Sequence, residues 1–375
     1  MGTIKTLERA YKRRVMSAAG HLFRATAMTV DEVARLEPRA VLVVRQHNQM
    51  GDMMLAIPAL RAIRQRWPVA RIGVVTAPIH RDVLQNNPYV DCLYRYDKRA
   101  AFGFWRTVRQ MRGESWDLSI ALHTVSFSLT TLMLSVLSGA RVRVGSATAA
   151  IGEGLTGSFL NLTLPLPSAR ELAGMNEAEH NLFPLRAIGV DTTDLSPVIV
   201  PGSDGEAWAR EKATQCWRSG SWRLVVHPGA GKAENMWPAS RFAAVVSAIA
   251  ATAPARVVVM QGPSDHDAVE AFRRASDRPI CVVSGSIGQA AAFLRTADLV
   301  LCNDTGIMHV AAAVGARTLA VFGKTDPDRW APRCANLHAL RSPSGTLEGV
   351  TVEAVVRRAL QLLGPGAPCG VNTGE

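Results

Sequence analysis

Three short polar segments could carry chemistry, and each follows a run of apolar residues. They are Gly51-Asp52, the run from Pro228 to Lys232, and the run from Asn303 to Gly306. A carboxylate such as Asp52 can accept a proton from a bound hydroxyl group. Small residues, and a helix that begins at Gly306, offer free backbone N–H groups to the oxygens of a diphosphate. The segments therefore supply a candidate base and two candidate phosphate sites.

Each of these segments also has a purely structural interpretation. Asp52 could be the N-terminal cap of the helix that follows it, and Asp304 and Thr305 could cap the helix after them. His309, one turn further on, could be a hydrogen-bonded histidine of the core. The run from Pro228 to Lys232 is not a Walker A loop, because Ala233 stands where Ser or Thr would bind magnesium.

Other motifs give weaker indications of a metal or a dinucleotide. Asp265-His-Asp267 and Asp326-Pro-Asp328 could hold a divalent ion, but each opens a turn or helix, where capping explains it. The segment 152–157 matches G-x-G-x-x-G, yet residues 146–151 separate it from the preceding strand. We therefore predict no metal site and no dinucleotide cofactor.

The positions of the apolar runs predict alternating strands and helices. In the first half, strands are predicted at 40–44, 71–75, 118–122 and 141–144, with helices at 55–67 and 81–86. In the second half, strands are predicted at 223–227, 256–261, 280–283, 299–302 and 318–322, with helices at 240–251, 266–275, 287–296, 308–314 and 352–363. Such alternation is typical of parallel sheets covered by helices on both faces.

The predicted fold class is α/β, with two doubly wound, Rossmann-like domains facing across a cleft. Ligands of such sheets bind beyond the carboxyl ends of the strands. Proline and glycine interrupt the pattern between the halves. We predict a basic extension at 1–38, an N-terminal domain at 39–195, a linker region at 196–222, a C-terminal domain at 223–350, and a final helix and tail at 351–375.

Composition describes a globular, arginine-rich chain. The 375 residues are 48% hydrophobic and 19% charged, which excludes disorder as the main state. The six cysteines lie far apart without a C-x-x-C pair, so neither a disulfide framework nor a zinc knuckle is predicted, and a reducing compartment is favoured.

The formal net charge is +11, and only six of the 42 basic residues are lysines. An excess of arginine suits phosphate-bearing partners, although a solvated basic surface explains it equally well. No aromatic-interleaved basic motif indicates a nucleic-acid partner.

Two segments raise the question of a membrane. Residues 1–25 carry six basic residues and one acid, interspersed with apolar residues that could lie on an anionic membrane surface. A basic tail or a helix packed on the domain is the alternative, and the interrupted apolar region after Arg13-Arg14 argues against export. The uncharged stretch 118–140 could span a bilayer by length, but its Ser and Thr residues and His123 favour a buried strand followed by a helix.

In their order along the chain, the motifs resemble glycosyltransferase family 9, the heptosyltransferases of the lipopolysaccharide inner core. The resemblance runs from about Ala40 to Leu363. It is carried by VRQHNQMGDMMLAIPAL, VVHPGAG with WPASRF, QGPSD, NDTGIMHVAAAVGA and FGKTDPDRW.

The resemblance implies a GT-B architecture and inversion at the anomeric carbon without a metal or cofactor. The acceptor would bind the N-terminal domain, and an ADP-activated heptose would bind the C-terminal domain. It assigns Asp52 as the catalytic base and Asn48, Gly51 and His123 to the acceptor. The implied donor-binding residues are His227, Gly229, Ala230, Gly231, Lys232, Trp237, Gly262, Asp265, Asn303, Asp304, Thr305, Gly306 and His309.

The predicted function is therefore transfer of a heptose or related sugar to a glycolipid or glycan acceptor, in the cytoplasm or peripherally on the inner membrane. One departure concerns Asn235-Met236, which precede Trp237 where many family members have a basic residue; the nearest cation is Lys232. The alternative is a nucleotide-sugar-binding protein of the same fold without transfer activity.

Overall fold

Two parallel β-sheets form the framework of the computed structural model, which describes residues 23–46, 49–122, 128–146 and 158–364. The strands of the first sheet are β1 (Ala40–Val44), β2 (Arg71–Thr76), β3 (Cys92–Arg95), β4 (Leu118–Ala121), β5 (Val142–Ser146) and β6 (Leu162–Leu164). Those of the second are β7 (Trp222–His227), β8 (Ala255–Met260), β9 (Cys281–Val283), β10 (Leu299–Asn303), β11 (Thr318–Phe322) and β12 (Leu337–Arg341).

Helices connect the strands in both halves. The first half contains α1 (Val30–Ala34), α2 (Met50–Met54), α3 (Ile57–Arg66), a 3₁₀ turn (Pro78–His80), α4 (Arg81–Leu84), α5 (Gly103–Arg112), α6 (Leu129–Leu137), α7 (Ala169–Leu172) and α8 (Glu177–Arg186). The second contains α9 (Ser203–Cys216), a 3₁₀ turn (Ala233–Asn235), α10 (Ala239–Thr252), α11 (His266–Ala275), α12 (Ile287–Leu294), α13 (Gly306–Ala313), α14 (Pro327–Trp330) and α15 (Val352–Leu363).

The two sheets have the same topology. Their strand orders are β3-β2-β1-β4-β5-β6 and β12-β11-β10-β7-β8-β9, and the paired strands within each sheet run parallel. In each half the chain starts in the middle, moves to one edge, and returns to build the other side. The point of reversal, between β1 and β4 and between β7 and β10, is where doubly wound sheets bind ligands. The predicted α/β class with two Rossmann-like sheets is confirmed.

The described residues divide into two compact units. Residues before 49 and residues 55–194 form the first unit, and residues 49–54 and those from 195 onward form the second. The segment 49–54, which was predicted inside the first domain, therefore clusters with the second half. The predicted helix at 55–67 is confirmed as α3, with Pro58 in its first turn, and the short helix α2 precedes it as an additional element.

The predicted linker region contains a packed helix. Within the second unit, α9 lies against α12: the rings of Trp217 and Phe293 stack at 5.4 Å, and Arg295 forms an ion pair with Glu206. A disulfide also joins Cys216, the last residue of α9, to Cys281 of β9, with 6.2 Å between their Cα atoms. The sequence indicated no disulfide. The two cysteines are 65 residues apart in the chain, and they become neighbours only when the chain folds.

Several elements were not predicted, and they are mostly short or exposed. The edge strands β3, β6 and β12 have partly exposed residues and lack a continuous apolar run. By contrast, β4 and α6 account for the described part of 118–140 as a buried strand and a helix. Across the described ranges, no helix has both the length and the apolar character needed to cross a bilayer.

Gly73 of β2 fits closely against Trp116 in the core of the first unit. A Cβ atom at position 73 would lie 2.5 Å from Cη2 of Trp116 and 3.1 Å from the Tyr94 ring. The indole is 2% exposed, and its N–H donates to the Met111 carbonyl oxygen. Trp116 therefore has little freedom to move away from an added methyl group.

We expect Gly73→Ala to lower the free energy of unfolding by about 1 to 3 kcal/mol, because the added methyl group overpacks this contact. Urea unfolding followed by circular dichroism measures the change. Gly174→Ala is the matched control, since no atom lies within 4 Å of its added Cβ. Equal stability of the two variants would contradict the packing account.

Candidate active site

A pocket of about 570 Å³ opens in the second unit, and eight of the seventeen predicted site residues line it. It lies beyond the carboxyl ends of β7 and β10, the neighbouring strands at which this sheet reverses its order. The lining residues are Gln49, Met50, Gly51, Asp52, Gly231, Lys232, Asn235, Asp304, Thr305, Gly306, His309, Thr325 and Trp330. One pocket thus brings together Asp52, the residues after β7 and the residues after β10.

Close packing of α2 on α13 places Asp52 in this pocket. A Cβ atom at Gly51 would lie only 2.9 Å from Nε2 of His309, and one at Gly306 would lie 3.5 Å from Cβ of Met50. A side chain at position 51 would therefore push α2 away from α13. Asp52 is the third residue of α2, so it is not the N-cap that the sequence left as an alternative.

The amino end of α13 has no side-chain cap. Thr305 is the N-cap residue, with φ −156° and ψ 168°, but its side chain makes no capping hydrogen bond. The Asp304 carboxylate is bonded elsewhere, so the structure does not support capping as the role of either residue. Uncapped N–H groups and the positive end of the helix dipole favour an anion at this position.

Asp304 is held by two polar side chains. Its Oδ2 accepts hydrogen bonds from Thr325 Oγ1 at 2.6 Å and from Asn235 Nδ2 at 3.2 Å. Burial raises the pKa of Asp304 above its ordinary value, while the Thr325 hydrogen bond and the charge of Lys232 oppose the rise. These neighbours partly compensate the negative charge of Asp304 at the amino end of α13.

Two nearly buried polar atoms of the lining residues lack partners. Asn235 is 8% exposed and His309 is 5% exposed, and neither Asn235 Oδ1 nor His309 Nδ1 has a hydrogen-bond partner. His309 is thus not the hydrogen-bonded core histidine of the alternative interpretation. Because buried polar atoms are rarely left unsatisfied, the pair indicates a pocket made for a polar ligand.

Asn303 and Trp237 support the pocket from behind. Asn303 is fully buried: its Oδ1 accepts the Trp237 N–H, and its Nδ2 donates to the carbonyl oxygens of Pro228 and Gly229. Trp237, predicted to contact the donor, instead has a fully buried side chain whose indole N–H donates to Val350. Both residues fix the loop after β7 rather than line the pocket.

A second cluster lies beside this loop. His227 Nε2 is 3.7 Å from Asp265 Oδ2, which also accepts the N–H of Gly262 at 2.7 Å. A Cβ atom at Gly229 would lie 2.1 Å from Asp265 Oδ1, so the glycine lets the loop approach the carboxylate. Burial lowers the pKa of His227, and Asp265 opposes that change. Neither these residues nor Ala230 lines the pocket around Asp304.

The two D-x-D strings differ in their local structure. Asp326 accepts the N–H of Asp328 and caps α14, as the capping interpretation expected. Asp265 precedes α11 but makes no capping hydrogen bond, because its carboxylate is bonded to Gly262.

Some predicted residues lie outside the part of the chain that the structure describes. These are Asn48, His123, the segment 152–157 and most of the basic segment at 1–25. Conversely, the sequence did not single out Thr325 or Trp330, which line the pocket. Both belong to the segment FGKTDPDRW, in which the two aspartates gave the recognisable pattern and Thr325 and Trp330 carried no signal of their own.

The Rossmann-like sheets and the uncapped helix at the reversal point define a fold and site suited to a phosphorylated donor. The sequence model of glycosyltransferase family 9 (heptosyltransferase) matches residues 104–354, which is more than half of the chain. The chain therefore belongs to glycosyltransferase family 9 and is a glycosyltransferase. The resemblance drawn from the motifs is confirmed.

Individual relatives agree with this assignment. The chain is similar to lipopolysaccharide heptosyltransferase 3 of Escherichia coli, at 25% identity over 299 residues that cover 76% of this chain and 84% of the relative. Its fold is similar to that of a family 9 glycosyltransferase from Veillonella parvula, with a TM-score of 0.76, 22% identity and coverage of 90% and 99%. The ADP-heptose lps heptosyltransferase II of E. coli has a TM-score of 0.71, 20% identity and coverage of 86% and 98%.

The buried imidazole of His309 predicts a pH dependence of stability. Burial lowers its pKa from 6.5 to about 4, so the unfolded chain binds this proton at a higher pH than the folded chain does. Stability should therefore fall as the pH decreases from about 6.5 towards about 4. Between pH 7 and pH 5 this histidine alone should remove about 2 kcal/mol.

His309→Gln, which cannot titrate in this range, should lose about 2 kcal/mol less than the wild type between these two pH values. Urea unfolding at pH 7 and pH 5 measures the difference. The exposed His266→Gln is the control and should keep the wild-type dependence. An unchanged pH dependence in His309→Gln would show that its imidazole is not held neutral in the fold.

Proposed function

We propose that the chain transfers a heptose, or a closely related sugar, from an ADP-activated donor to a lipopolysaccharide core or similar glycan acceptor. Family membership and the similarity to heptosyltransferases of E. coli support this substrate class. The observation that carries the proposal is the shared pocket, in which Asp52 and the uncapped amino end of α13 lie together. A base and a diphosphate site in one pocket are what direct sugar transfer requires.

In the proposed reaction, Asp52 takes the proton from an acceptor hydroxyl while that oxygen attacks the anomeric carbon of the donor. The new glycosidic C–O bond forms as the bond to the diphosphate oxygen breaks, and ADP departs with the electron pair. A single displacement inverts the anomeric carbon and needs no protein nucleophile. General-base assistance of this kind contributes rate in the transition state.

The departing diphosphate would be stabilised by the protein itself. The N–H groups at the start of α13, the backbone at Gly231 and the ammonium group of Lys232 would face its developing charge. These groups supply positive potential without a metal ion, so we propose a metal-independent mechanism. Lys232 would thereby supply the positive charge that many family members have in the basic residue before the Trp-Pro pair, where this chain has Asn235-Met236.

Asp304 and Asn235 would bind the sugar rather than the phosphates. A carboxylate repels a diphosphate, but it accepts hydrogen bonds from sugar hydroxyl groups. Its link to Thr325 and Asn235 fixes the orientation of the Asp304 carboxylate. The unpartnered Oδ1 of Asn235 offers a further acceptor for a hydroxyl group.

The acceptor would bind through the first unit, with Asn48 and His123 still predicted to contact it. Gly51 would contribute by its lack of a side chain, which permits the approach of α2 to α13. To reach a lipid-linked acceptor, the protein would also have to bind at the cytoplasmic face of the inner membrane. Peripheral contact with that membrane is therefore part of the proposal.

The second candidate, a nucleotide-sugar-binding protein without transfer activity, is motivated by Asn235-Met236. Incubating the purified protein with ADP-heptose and a truncated core acceptor separates the two. Formation of the extended glycan supports transfer. ADP-heptose binding without product would favour the second candidate.

Asp52→Asn should lower turnover by about 100-fold or more, because the amide cannot accept the hydroxyl proton. Its affinity for ADP should stay close to that of the wild type. Product formation and calorimetric titration with ADP measure the two quantities. Asp267→Asn, on an exposed side chain, is the control. Wild-type turnover in Asp52→Asn would exclude Asp52 as the base.

Lys232→Ala should weaken ADP binding by about tenfold, because a charge-assisted contact to the diphosphate is lost. The loss should shrink as the salt concentration rises, since Lys232 is exposed. Calorimetry at two salt concentrations tests both expectations, with Lys212→Ala on α9 as the control. Unchanged affinity in Lys232→Ala would remove this residue from the donor site.

A further inference from the structure

An exposed face of α5, in the first unit, combines aromatic and basic side chains. Phe102, the N-cap residue, is 82% exposed, and Trp105 is 62% exposed. The exposed arginines of the same helix are Arg106, Arg109 and Arg112. We refer to these five residues as the α5 surface.

Helix geometry puts Trp105, Arg106, Arg109 and Arg112 on one side of α5, and Phe102 precedes them at the N-cap. The three arginines follow one another at intervals of three residues and Trp105 lies four residues before Arg109, which is the spacing of neighbours along one helix face. The opposite face is buried: Val108 and Met111 pack in the core of the first unit, and Thr107 Oγ1 donates to the carbonyl oxygens of Gly103 and Arg95. Trp105 contacts the ring of Phe104 at 5.4 Å, but neither aromatic residue of the α5 surface is among the buried residues of that core.

The backbone at Phe102 adds an independent indication. Its φ is +56°, and among the described residues it is the one non-glycine residue with a positive φ. A non-glycine residue in the left-handed region is uncommon, and residues held in such conformations cluster at functional sites. The Phe102 side chain lies in solvent, so backbone hydrogen bonds rather than side-chain packing hold this conformation: Arg106 N–H donates to the Phe102 carbonyl oxygen and Gly103 N–H donates to the Ala100 carbonyl oxygen.

The charges around the aromatic pair are almost entirely positive. Residues 95–112 contain six basic residues and a single acid, Asp97, whose carboxylate accepts the N–H of Arg99. Arg106, Arg109 and Arg112 form no ion pair with any acid in the described ranges. Their charges are thus available to an external anion.

We propose that the α5 surface docks the protein on an anionic lipid bilayer. Trp and Phe insert at the level of the headgroups, and neighbouring arginines bind the lipid phosphates. Ile79, 52% exposed, adds an apolar residue in the 3₁₀ turn beyond the carboxyl end of β2, the parallel neighbour of the strand that precedes α5. Docking is a property of the first unit and does not depend on the proposed transfer reaction.

Sedimentation of the full chain with vesicles tests the proposal without donor or acceptor. We expect binding to phosphatidylcholine vesicles that contain phosphatidylglycerol, and much weaker binding to phosphatidylcholine alone. High salt should reduce the binding, because exposed charges are screened. Equal binding to both kinds of vesicle, or binding to neither, would overturn the proposal.

Charge reversal on the α5 surface should weaken binding selectively. Arg106→Glu combined with Arg109→Glu should reduce partitioning onto the anionic vesicles by roughly 30-fold or more. The matched control is Arg357→Glu with Arg274→Glu, which changes the net charge equally and also places one glutamate in the last turn of a helix. An equal loss in the control would show a general charge effect and contradict a docking surface.

Phe102→Gly separates docking from folding. Glycine accepts a positive φ without strain, so the variant should unfold at the wild-type temperature or above. It should nevertheless bind the anionic vesicles several-fold more weakly than the wild type, and so should Trp105→Ser. The control is Val69→Ser, at a 96% exposed position, which should bind as the wild type does. Wild-type binding by both Phe102→Gly and Trp105→Ser would exclude the aromatic pair.

The basic amino-terminal segment is the competing membrane contact. If Arg13→Glu combined with Arg14→Glu abolishes vesicle binding while the α5 variants bind normally, docking belongs to that segment and our proposal fails. Loss in the α5 variants, with binding retained in the Arg13 and Arg14 variant, supports the α5 surface. Transfer to a soluble acceptor should persist in the α5 variants, so failed docking and failed transfer give different results.

Discussion

Contact between Gly51 and the imidazole of His309 is the constraint on which the candidate site depends. Because position 51 has no side chain, α2 can lie directly on α13, and Asp52 reaches the pocket at that helix's amino end. The imidazole is buried and stays neutral, so it adds no charge beneath the site. The close packing of α2 on α13 thus places the Asp52 carboxylate and the uncapped amino end of α13 in the same pocket.

Charge balance in the pocket follows from the same arrangement. The start of α13 and Lys232 supply positive potential, whereas Asp304 supplies a negative charge that Thr325 and Asn235 partly neutralise by hydrogen bonding. Positive groups suit a diphosphate, and the oriented carboxylate suits hydroxyl groups. A nucleotide sugar carries both kinds of group, which is consistent with membership of glycosyltransferase family 9.

The first unit uses amphipathic structure in a different way. In α5, one face completes the core beside Trp116 and Tyr94, while the other exposes aromatic and basic residues that the core does not need. The left-handed conformation of Phe102 starts this helix and directs its side chain into solvent. One face of α5 therefore contributes to the stability of the fold, and the opposite face forms the exposed surface.

The sequence by itself determined the central strands of the two sheets and the main turns of the site, because buried parallel strands are continuous apolar runs followed by polar turns at fixed places in the chain. β11 has the predicted ends for this reason, and α11 and α15 have theirs because their buried residues recur with helical spacing. Only the tertiary structure decided contacts between residues far apart in the chain, such as Thr325 with Asp304, Cys216 with Cys281, and Gly51 with His309. No local pattern encodes such pairs, since their proximity arises when separate elements pack together.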